Sequence, residues 1–126
     1  MFVTYQVSIE LIRSLRDLVP IVQKYDRDLA DQMHRAATSV SLNLAEGQRL
    51  RAGNQRRHYE IAHGSANEVR AAIDVAAAWG WIKEASEQRR ILDRLLALLW
   101  GLTHGQLAET RKGEPVRKSR TADPLL

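Results

Sequence analysis

Apolar residues recur every three or four positions along four long stretches of this chain, and that spacing restricts it to helices that each bury one flank. In the first stretch Leu11, Leu15, Leu18, Val22 and Tyr25 follow steps of 4, 3, 4 and 3, while Glu10, Arg13 and Asp17 fall on the opposite side. This predicts a helix over about 4–24, kinked near Pro20, where a backbone donor is missing. Leu29, Met33, Ala36 or Ala37, Val40 and Leu44 predict a second helix over 26–46, capped by Asp26 or Asp28 and closed by Gly47 in a left-handed C′ position. Its stripe is rich in small residues, which lets a neighbour approach closely.

Gln48 to Gly53 reads as a connection and Asn54 as the cap of a third helix over 54–79, whose seam is Tyr59, Ala62, Ala66, Val69, Ile73 and Ala76. Gly64-Ser65 interrupts that helix. A mid-helix glycine costs about 1 kcal/mol against alanine, so the pair marks either a close helix crossing or a contact with a partner. Gly80 ends the third helix, and a fourth over 86–110 starts at Ser86 or a neighbour and carries Leu92, Leu95, Leu99, Leu102 and Gln106. Leu96, Leu98 and Trp100 widen its apolar surface beyond what one side of a small bundle hides, which predicts that something else covers it.

Helices of this length are about 30 Å long, and short links force neighbours to run antiparallel. The expected fold is all-α, an up-down-up-down four-helix bundle over residues 1–110. The chain has 126 residues, 44% of them hydrophobic, enough for one core without a metal or disulfide. With no cysteine there is no thiol nucleophile, disulfide or thiolate metal site. The N-terminus lacks a signal-peptide layout, and polar side chains interrupt every apolar run, so a cytoplasmic protein without a membrane span is expected. Arg111, Lys112, Arg117, Lys118 and Arg120 against Glu114 and Asp123 put three of the four excess positive charges in residues 111–126. That segment lacks periodicity and reads as a basic, disordered tail.

The sharpest candidate for chemistry is Glu60-Ile-Ala-His63, because carboxylate-bridged di-iron bundles use a Glu-x-x-His pair on two helices and single glutamates on the others. The other match is Asp31-x-x-His34, with Glu10 and Glu46 as spare carboxylates. An exposed carboxylate and imidazole on a basic helix explain Glu60 and His63 without a metal, and no metal, cofactor or catalytic residue is expected. Serines 39, 41 and 65 lack the setting of a nucleophile and are expected to bond helix carbonyls or to pack at crossings. Arginine placement is more informative. Arg49, Arg51, Arg56 and Arg57 fall within nine residues that contain no acid, with Arg35 upstream. Guanidinium forks suit phosphate oxygens, although a solvated basic turn has the same composition.

Ser39-Val-Ser-Leu-Asn43-Leu-Ala-Glu46-Gly47, followed by Ala62-His-Gly64-Ser65-Ala-Asn-Glu68, resembles a known family. It is similar to the four-helix-bundle proteins encoded in intervening sequences of bacterial large-subunit ribosomal RNA genes, a superfamily that includes the accessory variability determinant of diversity-generating retroelements. The likeness covers residues 5–110. It implies a homopentameric barrel, no catalysis, a basic surface that binds RNA or DNA and, in the retroelement branch, contact with a reverse transcriptase. Asn43, Glu46 and Gly47 map onto the first motif and Gly64, Ser65 and Glu68 onto the second. Asn43 and Glu46 are expected to bond across to the third helix and so fix helix register or a subunit contact, because buried polar groups need partners.

Overall fold

The computed structural model describes residues 2–105. They form four α-helices, α1 (Val3–Tyr25), α2 (Arg27–Arg49), α3 (Ala52–Ala78) and α4 (Ser86–Trp100), followed by a π-helical turn at Gly101–Gly105, with no strand among the described residues. The end of the expected fourth helix with Gln106, and the basic segment 111–126, lie outside the described residues.

The helices close into a ring in which α1 packs on α2 and α4, and α3 packs on α2 and α4. One core fills the ring. Leu11, Val22, Met33, Val40, Leu44, Ile73, Leu92 and Leu95 are wholly buried, each removing apolar surface from water at about 25 cal/mol per Å². Ala36, Ala37, Ala62, Ala66 and Ala76 are buried as well, so the α2 and α3 backbones approach over small side chains. Polar groups inside tie the helices together: Ser8 and Ser41 join α1 to α2 through their hydroxyls at 2.8 Å, and the Gln88 amide donates to the Ser14 carbonyl of α1 at 2.8 Å.

Each link has a local cause. Asp26, in extended conformation, serves two helices: its N–H donates to the Val22 carbonyl, and its carboxylate accepts from the Leu29 N–H at 2.9 Å. At the far end of α3, Gly80 adopts φ +81°, with its N–H on the Ala77 carbonyl and the Trp81 N–H on that of Ala76. Those two bonds are a Schellman closure, for which glycine is the favoured residue.

The α2–α3 link departs from the sequence reading. Helix α2 continues through Gly47 to Arg49, and the connection is only Leu50 and Arg51. Gly47 is glycine for another reason, since a Cβ there would lie 2.6 Å from Tyr59 Cε1 and 2.9 Å from its Cδ1. The missing side chain is the seat of an aromatic ring from α3. Asn54 lies inside the first turn of α3; the capping position belongs to Arg51, whose side chain makes no capping bond.

Gly64 is no helix crossing within the chain, because it is exposed and a Cβ built there meets nothing within 4 Å. The apolar excess on α4 is also smaller than its sequence implies. Leu96 and Leu98 are half-buried against the core, and Trp100 alone stays largely exposed, at 55%, with its ring on that of His104.

Candidate nucleic-acid interface

The α2–α3 link gathers Arg49 at the end of α2, Arg51 in the connection, and Arg56 and Arg57 in the first turns of α3. The link is held from below. The Gln55 amide donates to the carbonyls of Gly47 and Leu50, both at 3.0 Å, which satisfies acceptors at the open end of α2. Tyr59 is 3% exposed and packs its ring into the Gly47 notch and against Phe2, at a centroid distance of 6.0 Å. Burial pushes its phenol above the ordinary value.

The four arginines are not equally available. Arg49 donates to Glu46 at 2.7 Å, and Arg56 stands 3.6 Å from Glu60. The hydrogen bond from Arg49, helped by its charge and by that of His58, holds the Glu46 carboxyl below the usual range, and the same bond raises the Arg49 guanidinium. Arg51 and Arg57 are exposed and form no ion pair among the described residues. Arg35 does not join this group: it is exposed 14 residues earlier on α2, about 21 Å along the helix axis at 1.5 Å per residue.

Beneath the arginines the two sequence motifs meet. Asn43 donates its amide N–H to the Ser39 carbonyl at 2.9 Å and to the Ser39 hydroxyl at 3.1 Å, and its Oδ1 faces His58 Nδ1 at 2.8 Å. With Asn43 oriented in that way, His58 carries a proton on Nδ1 and donates it. Ser39 in turn meets the Ser65 hydroxyl at 2.9 Å. A polar chain His58–Asn43–Ser39–Ser65 therefore ties α2 to α3. Asn43 bridges the helices, but Glu46 does not, because its carboxylate is taken by Arg49 one turn along the same helix. Glu68 is exposed on α3 and Gly64 faces open space. The i, i+4 spacing of Ser39 and Asn43 is readable in sequence, whereas the roles of His58 and Gln55 here carry no periodic signal.

The metal candidates are dispersed. Glu60 faces Arg56, and His34 lines an open groove with Ile12, Arg16, Val19 and Pro20, a setting with a cation and no carboxylate. Among the described residues no three His, Asp or Glu side chains are grouped to hold a metal ion. His63 is held below its ordinary value by burial first, then by the charges of His104 and Arg70. No helix among the described residues is long and apolar enough to cross a membrane.

The family model for the 23S rRNA-intervening sequence protein matches residues 2–101, the whole of the four helices and both motifs. The chain belongs to that family. A solved structure of a protein of unknown function from the S23 ribosomal protein family of Bacteroides thetaiotaomicron VPI-5482 superposes on this intervening-sequence protein with a TM-score of 0.73. It is 16% identical and covers 80% of this chain and 98% of its own, a likeness that carries the fold alone. No curated protein matches the chain.

Proposed function

We propose that this intervening-sequence protein is a non-enzymatic, oligomeric nucleic-acid-binding bundle that holds RNA or DNA phosphates at the α2–α3 link. The observation that carries the reading is the pair Arg51 and Arg57, exposed and without an acidic partner among the described residues, at the open start of α3. No side chain caps that start and no acid lies in its first turn, so free backbone N–H groups and the positive end of the helix dipole reinforce the arginines. Arg49 and Arg56 can trade their glutamates for phosphate, since water screens exposed ion pairs and leaves them little to lose. Arg35 stands on the same helix as a more distant contact.

The bundle is antiparallel and up-down-up-down in this reading, supported by the cross-links: Asn43 meets His58 while the earlier Ser39 meets the later Ser65. A ring of copies, five in a homopentameric barrel, repeats the arginine patch around an axis and adds its field. Exposed Leu42, at 64%, and the open surface at Gly64 favour such a contact. Electrophoretic shifts with generic RNA and DNA at low and moderate salt test the binding. A shift that fades with salt and ignores sequence agrees with it. No shift at low salt, or a reverse transcriptase-like partner that co-purifies after nuclease treatment, replaces it with a protein-scaffold role.

A further inference from the structure

At the α3–α4 corner the left-handed turn at Gly80 folds Trp81 back over Trp79, and the end of α1 adds a third ring. Trp79 and Trp81 stack at 5.9 Å with planes 14° apart, and Tyr25 and Trp81 at 5.5 Å with planes 3° apart. The middle ring is half-buried, but Trp79 is 69% exposed and Tyr25 60%. A stack that served only to close the core would bury its outer rings. These keep much of their surface in water, and their near-parallel planes offer flat π faces rather than a notch for an aliphatic side chain.

We infer that Tyr25, Trp81 and Trp79 form a stacking platform for unpaired nucleobases, so that the ligand of this bundle includes single-stranded nucleic acid. The inference rests on the nucleic-acid reading above but uses a separate surface. Helix α2 runs from Arg27, two residues after Tyr25, to Arg49 in the arginine cluster, a span of about 33 Å at 1.5 Å per residue. The charged residues next to the rings in sequence balance: Lys24, Arg27 and Lys83 stand against Asp26, Asp28 and Glu84. The platform therefore draws on base–aromatic stacking, which tolerates any base, rather than on phosphate neutralisation. Its contribution should survive added salt, whereas that of the arginines should fade.

The test is fluorescence anisotropy with a labelled oligothymidylate and a labelled duplex of equal length, on the full chain. Four proteins are compared: wild type, W79A, W79F, and a variant with Arg49, Arg51, Arg56 and Arg57 changed to Glu. Stacking of one base contributes about 1–3 kcal/mol, so W79A should weaken oligothymidylate binding by about 5- to 150-fold. W79F should recover part of that loss, and duplex binding should be unchanged by either. The ratio of wild type to W79A should hold as salt rises. Equal oligothymidylate affinity for wild type and W79A, or an equal loss on both ligands, overturns the platform and leaves the arginine site standing. Loss of binding only in the arginine variant has the same meaning. Full duplex binding by the arginine variant overturns the arginine site and leaves the platform to be judged on W79A alone.

Discussion

Replacing Gly47 with alanine sets two effects of opposite sign against each other. In a helix interior alanine is favoured over glycine by about 1 kcal/mol. The new methyl carbon, however, lies 2.6 Å from Tyr59 Cε1, 2.9 Å from its Cδ1 and 3.3 Å from His58 Cβ, all inside the roughly 3.5–4.0 Å at which carbon atoms attract. The ring cannot swing away cheaply, because Tyr59 is buried and rests against Phe2. Relief requires α3 to move off α2, and overpacking of this kind costs about 1–3 kcal/mol. That movement also stretches the Asn43–His58 hydrogen bond of 2.8 Å, for about 1 kcal/mol more. The net expectation is that G47A destabilises by about 1–3 kcal/mol. Gly64, in the middle of α3 with nothing within 4 Å of its missing Cβ, is the control, and G64A should stabilise by about 0.5–1 kcal/mol. Urea unfolding at fixed protomer concentration reads both, as shifts of the midpoint with an unchanged slope. If G47A proves as stable as wild type, or shifts in the same direction as G64A, the steric account of Gly47 is wrong. A concentration-dependent loss in G64A instead locates another copy of the chain at that surface.

Asn43→Ala removes the acceptor of His58 and the donor to Ser39, and the half-buried groups left behind should cost about 1–3 kcal/mol in the same unfolding assay. Ser65→Ala should cost less, since the Ser39 hydroxyl it meets keeps Asn43. The folded chain holds His63 below its ordinary value of 6.5, so the unfolded state binds more protons there as pH falls past that value. Stability should therefore decline from neutral pH toward pH 5, and H63Q should flatten the decline measured by thermal melts. Glu46 behaves as a lowered carboxylate, so its pairing with Arg49 is present above the ordinary value of 4.5 and is lost as pH falls through its lower folded value; E46Q should reduce the sensitivity of melting to pH below that point.

The helices were legible because burial imposes a period, and that period needs no knowledge of the partner. Leu11 to Val22 and Tyr59 to Ala76 declare their buried flanks whatever covers them. Asp26 was legible as a cap because its carboxylate acts within three residues of itself, on Leu29. Gly47 was not, since a glycine that ends a helix and one that admits a ring are the same letter; the difference lies in Tyr59, twelve residues away on another helix. The α2–α3 link is shorter than the sequence implies for a related reason. Gln48 and Arg49 carry no helix breaker, and the carbonyls that need closing are served by Gln55 from the far side of the link.

In the basic cluster the arginine positions were visible, but their balance was not. The nine residues that hold them contain no acid, yet Glu46 and Glu60 lie one turn outside and reach back along their own helices. Local charge on a helix is set by neighbours three and four positions away, so a window in sequence overstates it. The aromatic stack is hidden for the opposite reason: Tyr25 continues the spacing of a buried stripe, and its exposure depends on where α1 ends relative to Trp81.

The most direct test of the central claim is the salt dependence of binding by wild type and by the double variant R51E/R57E, with a duplex probe. Each phosphate neutralised contributes about −0.9 to the slope of log K against log salt, so the double variant should lose about two such increments along with much of its affinity at low salt. A slope and an affinity that match wild type would contradict the assignment of the α2–α3 link as the phosphate-binding surface.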